Sequence, residues 1–129
     1  GLAIVEKIIM DSPLSNARDI MVTRANTEMK IPRFMTSLGM TIADLFIEGD
    51  LDMLALRNHL SIAGIPVLVL QSKADPKTPW VCYEKEQAFF NENVKVAIFE
   101  DAYHVAIYPD ARYKAQYTDI VSAFIKGRP

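Results

Sequence analysis

Apolar and polar positions along the chain alternate between runs that suit strands and stripes that suit helices. The clearest run is Val67-Leu68-Val69-Leu70, led in by Gly64-Ile65-Pro66. It has no polar alternation, which fits a strand buried on both faces of a parallel sheet covered by helices. Val94-Lys95-Val96-Ala97-Ile98-Phe99 predicts a further strand, the last of three. Val5–Met10, halted by Asp11-Ser12-Pro13, predicts a short strand before both. Between the first two strands the period lengthens to three or four residues. Ser15 or Asn16 is placed to cap a helix through Ala17, Ile20, Met21 and Ala25. Ile31-Pro32 breaks it, and a further helix is predicted from about Arg33 to Glu48. That helix carries Phe34, Leu38, Ile42, Leu45 and Phe46 on one stripe. Gly49-Asp50 ends it, with Asp50 as N-cap of another helix over Met53, Leu54 and Leu60. After the central strand, Thr78-Pro79 supplies a cap residue and a first-turn proline for a helix from Trp80 to about Phe90. The last helix is expected over Ala111 to Ile125, closed by Lys126-Gly127.

Strand, helical insertion, strand, helix, strand, helix is a βαβαβα order, for which a parallel sheet is the default. The fold class expected is therefore α/β, a partial doubly wound parallel sheet. Residues 1–129 form part of one domain, with the helical insertion over about 15–60. Three strands are few for such a sheet, and the first exposes an apolar edge at Val5–Met10. That edge would pair with further polypeptide or with a second copy in a homodimer. Gly1-Leu2-Ala3 has no charged n-region and no starting Met, so the expectation is a chain that begins in mid-fold. An N-terminal half or a second chain would then lie elsewhere.

Composition narrows the partners. A formal net charge of -2 offers no basic field for nucleic acid. No apolar run approaches the roughly 18 residues of a membrane span. Cys82 is the single cysteine, so no internal disulfide forms, and no Cys/His spacing suits a metal. No cofactor is expected. A reducing, cytoplasmic compartment is compatible with one thiol without being required by it.

In a doubly wound sheet, ligands gather beyond the carboxyl ends of the strands. Two polar residues fall there: Asp75, just after the central strand, and His104, just after the last. Adjacent parallel strands lie about 4.8 Å apart, so loops leaving neighbouring ends can bring both side chains together. A carboxylate that accepts one imidazole N–H orients the ring, and the second nitrogen can then take a proton from a hydroxyl.

Ile65-Pro66-Val67-Leu68-Val69-Leu70-Gln71-Ser72-Lys73-Ala74-Asp75-Pro76-Lys77-Thr78-Pro79 resembles the acid-bearing strand and loop of α/β-hydrolases. Phe99-Glu100-Asp101-Ala102-Tyr103-His104 resembles their catalytic-histidine loop. The Ala-Tyr-His form, with Arg112 and a helix ending in Ala123-Phe124-Ile125, is most similar to monoacylglycerol lipases and lysophospholipases of the serine aminopeptidase-like group. The resemblance runs from about Val5 to Gly127, and only the two loops are specific. It implies the C-terminal half of an α/β-hydrolase, containing the last three strands, with Asp75 as triad acid and His104 as base. It also implies that Arg18 to Leu60 forms a helical cap over an acyl-binding cleft. The substrates implied are acylglycerols, lysophospholipids or similar lipid esters. The nucleophile elbow and oxyanion-hole loop are missing, so the chain alone is expected to be inactive.

Other roles compete at several positions. Met35-Thr36-Ser37-Leu38-Gly39 is the nearest approach to G-x-S-x-G, but it lacks the first glycine, has no strand before it and falls inside a predicted helix. Asp75 could be a turn residue and His104 a buried histidine held by a carbonyl. Asp11 also follows a strand and is an alternative acid. Cys82, in the first turn of a helix, is a structural cysteine or a reactive one. Phe34, Leu38 and Ile42 line an acyl groove or simply pack the insertion, and Trp80, close to Asp75, packs its helix start or touches substrate. His59 falls at a helix end. A rival to the enzyme is a non-catalytic module of hydrolase shape that binds through its sheet edge or cap.

Overall fold

The computed structural model describes residues 5–46, 51–60 and 64–127. The predicted stop and cap at Gly49-Asp50, and the start at Gly1-Leu2-Ala3, lie outside the described residues. Three parallel strands form one sheet in the order β1-β2-β3. They are β1 (Ile8–Asp11), β2 (Val67–Ser72) and β3 (Val94–Phe99). Helices α1 (Ala17–Glu28), α2 (Arg33–Asp44) and α3 (Leu56–Leu60) lie between β1 and β2 in the chain. Helix α4 (Trp80–Gln87) connects β2 to β3, and α5 (Lys114–Ile125) follows β3. The fold is α/β.

All six residues of β2 are buried. Alternate side chains leave opposite faces, and two cores form. Val67 and Val69 pack with Leu56, Leu60 and Tyr83, against α3 and α4. Leu68 and Leu70 pack with Phe99, Ala102, Ile107 and Phe124, against α5. This explains the unbroken apolar run, because neither face of β2 meets water.

The insertion is tied down by polar contacts. Asn16, one of the two candidate caps, accepts the Asp19 amide at 3.0 Å, and Asn16 is thereby the N-cap of α1. Buried Glu86 on α4 accepts from Asn16 Nδ2 at 3.4 Å and from the Arg57 amide at 3.2 Å, and pairs with the Arg57 guanidinium at 3.2 Å. One carboxylate thus joins the starts of α1 and α3 to the core. Arg18 and Asp44 form an ion pair between α1 and α2.

Several element boundaries differ from expectation. β1 begins at Ile8 instead of Val5: Ile8 already pairs with Val67, and residues further upstream would face Pro66, which has no N–H to give. The expected helix over Met53 to Leu60 is a 3-10 turn (Leu51–Leu54) and then α3, because the Leu56 amide bonds the Ser15 carbonyl at 2.7 Å instead of continuing the helix. Helix α4 ends at Gln87, and the amides of Phe89 and Phe90 bond three residues back, which turns Phe90 edge-on to Tyr83. Helix α5 starts at Lys114 instead of Ala111. Helix α2 buries none of its residues, so the stripe of Phe34, Leu38, Ile42, Leu45 and Phe46 is exposed.

The two-faced burial of β2 makes a direct prediction. Leu70→Ala should cost about 3 kcal/mol in urea denaturation, and Leu38→Ala, on exposed α2, less than about 0.5 kcal/mol. Similar costs at both positions would contradict the packing.

Candidate active site

The loop after β2 is built around one carboxylate. Asp75 is 2% exposed. Its Oδ1 accepts the amides of Lys77 at 2.8 Å and Thr78 at 3.1 Å, and its Oδ2 accepts the Thr78 hydroxyl at 2.7 Å. The aspartate thus folds its own loop, as short polar side chains do in Asx turns. Buried Gln71, near the end of β2, donates from Nε2 to Thr78 Oγ1 at 3.1 Å and to the carbonyls of Thr78 and Ser72. That contact occupies an acceptor site on the hydroxyl and directs its proton to Asp75.

The loop after β3 brings His104 to the same carboxylate, with Nδ1 2.7 Å from Asp75 Oδ2. Burial pushes the Asp75 carboxyl upward and is the largest single influence on it. The hydrogen bonds from Thr78, His104 and Lys77 together outweigh it and hold the group below the usual carboxylate range. Asp75 is therefore an anion at neutral pH, and Nδ1 must carry the proton between them. Nε2 is then the nitrogen that can accept a proton. The His104 side chain is 35% exposed and borders a cavity of about 520 Å³.

That cavity is lined by Leu14, Ala17, Ile20, Met21 and Met29, with Thr78, His104, Arg24, Glu28 and Lys77 as its polar groups. Its apolar wall comes from α1 and from Leu14 and Met29, which flank it. Phe34, Leu38 and Ile42 do not line it: they stand on α2, which packs on α1 with its stripe turned outward. Trp80 does not line it either, and packs against Tyr83 at 5.5 Å in the core beneath β2, with Lys73 over its ring.

The remaining candidates are placed elsewhere. Ser37 lies exposed within α2, its carbonyl accepting the Thr41 hydroxyl, so it has no strand-to-helix turn. Asp11 accepts the Ser12 hydroxyl, and His104 bonds Asp75 instead. Cys82 is buried against the Thr23 hydroxyl, and burial pushes its thiol up, away from the reactive thiolate. His59 is exposed on α3. Among the described residues, no three His, Cys, Asp or Glu side chains converge as a metal site would, and no helix is long and apolar enough to cross a membrane. Thr78, taken from the sequence as a helix cap, is a ligand of the carboxylate, and Pro79 stands at the N-cap of α4. The signal was the spacing of Asp75 three residues ahead of Thr78, which suits a side chain that caps its own loop.

No family model and no curated protein matches the chain. Among solved structures, two crystal forms of the Pyrococcus furiosus esterase Pf2001 match it. They are 20% and 19% identical, with TM-scores of 0.56 and 0.57. The fold is that of part of this esterase. The likeness covers 95% of the chain but 44% of the esterase chain, so the 129 residues span less than half of it.

The hydrogen bond from Thr78 predicts a pH dependence. A folded pKa below the unfolded value of about 3.9 adds stability that is present above that value and is lost as pH falls through the folded pKa. Thr78→Val should cost about 1–3 kcal/mol at neutral pH, and the deficit should shrink on acidification as Asp75 protonates in both proteins. Denaturation midpoints across the acid range test this. A deficit that does not change with pH would contradict it.

Proposed function

We propose that the chain is the acid- and base-bearing part of a serine carboxylic-ester hydrolase. The observation that carries this is the buried, ionised Asp75 on His104 Nδ1, with His104 lining a largely apolar cavity. The esterase-like fold supports it, as does the resemblance of the two loops to monoacylglycerol lipases and lysophospholipases. The nucleophilic serine is supplied by polypeptide outside these 129 residues, and this chain alone is inactive.

In this mechanism the serine hydroxyl attacks the ester carbonyl while His104 Nε2 takes its proton. The imidazolium, stabilised by Asp75, returns that proton to the leaving alcohol, and the acyl-serine ester forms. Water then attacks the acyl group, again losing its proton to Nε2, and the serine is regenerated as the carboxylic acid leaves. Backbone N–H groups of the missing part hold the oxyanion. The substrates are acylglycerols, lysophospholipids or similar lipid esters, since the cavity wall is apolar. We assign the acyl contacts to Ile20 and Met21 of α1 and to Met29 just after it, in place of Phe34, Leu38, Ile42 and Trp80. The α1–α3 insertion then serves as the cap.

The outer edge of β1, where Ile9 is exposed and Val5 just upstream is too, favours a second reading. A non-catalytic module would pair there with another chain or form a homodimer through Val5–Met10.

Fluorophosphonate labelling of the natively produced protein, followed by peptide mapping, separates these readings. The enzyme predicts label on a serine outside the 129 residues. Turnover should fall about 10⁴-fold in Asp75→Asn, which offers the wrong partner to Nδ1, and His104→Ala should abolish nearly all of it. Label on Ser37, or no label in folded protein, would contradict the proposal.

A further inference from the structure

His104 occupies the second position of a tight turn. The Ala106 amide donates to the Tyr103 carbonyl at 3.0 Å, and Val105, at the third position, has φ +51°. Of the four residues, Val105 alone has a positive φ. That pattern is a type II turn, which differs from type I by a flip of the peptide joining the second and third residues. Glycine or asparagine usually fills the third position, and a β-branched valine there is strained. Some contact must hold the flipped peptide in place.

Packing does not supply it. Tyr103 and Val105 are 72% and 56% exposed, and the buried anchors of the loop, Ala102 and Ile107, lie outside the turn. The flipped peptide's own N–H, that of Val105, donates to Ser12 Oγ at 3.2 Å. Ser12 follows β1 and is 4% exposed. It too has φ +51°, and its amide bonds the Leu70 carbonyl at 2.8 Å. Its hydroxyl proton goes to Asp11 Oδ1 at 2.9 Å, which leaves the oxygen's lone pairs for Val105. The end of β1 therefore reaches across the end of β2 to the loop that carries the imidazole.

We infer that Ser12 is a positioning residue for His104, holding the His104–Val105 peptide in its flipped orientation so that Nδ1 meets Asp75. Without the hydroxyl, Val105 relaxes to the negative φ it prefers. The turn becomes type I, and ψ of His104 swings by about 150°. The inference rests on the proposed role of His104 as base.

The test uses full-length native protein, isotope-labelled at histidine, valine and glycine, with ester turnover measured alongside. The wild type should show the strong cross-relaxation between His104 Hα and the Val105 amide proton that marks a type II turn. Ser12→Ala should lose that signal and about 10²-fold in kcat, the effect of a misplaced catalytic group, with KM little changed. Ser12→Ala/Val105→Gly should recover both, because glycine takes a positive φ without strain. A merely structural loss would not be repaired by a glycine in the opposite loop. If Ser12→Ala keeps the signal, or loses kcat with the signal intact, the inference is overturned while the Asp75–His104 pair stands. If instead His104→Ala keeps full turnover, the hydrolase proposal falls and the inference with it.

Discussion

Burial of β2 on both faces is the constraint from which the rest of the structure follows. Its side chains feed one core against α3 and α4 and another against α5, while β1 and β3 take its backbone hydrogen bonds on either side. A strand so enclosed cannot slip by one residue without exchanging its two sets of side chains. Its carboxyl end is therefore fixed, and so are the loops that leave it and its neighbours. Gln71 and Ser72 extend the buried stretch into polar residues, and Gln71 spends its amide on the loop that follows.

Polar chemistry takes over where the apolar strand stops. Gln71 orients Thr78, Thr78 and two amides hold Asp75, and Asp75 holds His104. Burial pushes the carboxyl pKa up, and those hydrogen bonds outweigh it and favour the charged form. A charged Asp75 in turn decides which ring nitrogen carries the proton. His104 also lines a cavity whose apolar wall comes from α1 and the residues flanking it. The insertion is held to α4 through Asn16, Glu86 and Arg57, a polar cluster gathered on the buried Glu86 carboxylate.

Much of this was legible in the residues. The run Val67–Leu70 fits a two-faced strand, and Asp75 and His104 each follow a strand end, where parallel topology allows them to meet. What escaped was side-chain choice within loops. Thr78 before a proline imitates a helix cap, and its hydroxyl binds Asp75 instead. Ser12 reads as a turn residue, and its bond to Val105 spans 93 positions of sequence, beyond any local pattern. The stripe on α2 shows a different limit. Amphipathic spacing announces an apolar face without naming what covers it, and here the cavity beside His104 is walled by the less regular α1. The start of β1 was misplaced for a backbone reason, the missing N–H of Pro66.

The central claim is that Asp75, held ionised, fixes His104 in the tautomer with its proton on Nδ1. Nitrogen-15 spectroscopy of the His104 ring at neutral pH tests it most directly. The account predicts a protonated Nδ1 and an unprotonated Nε2 in the wild type, with that preference lost in Asp75→Asn. A proton on Nε2 in the wild type, or no change in the variant, would contradict it.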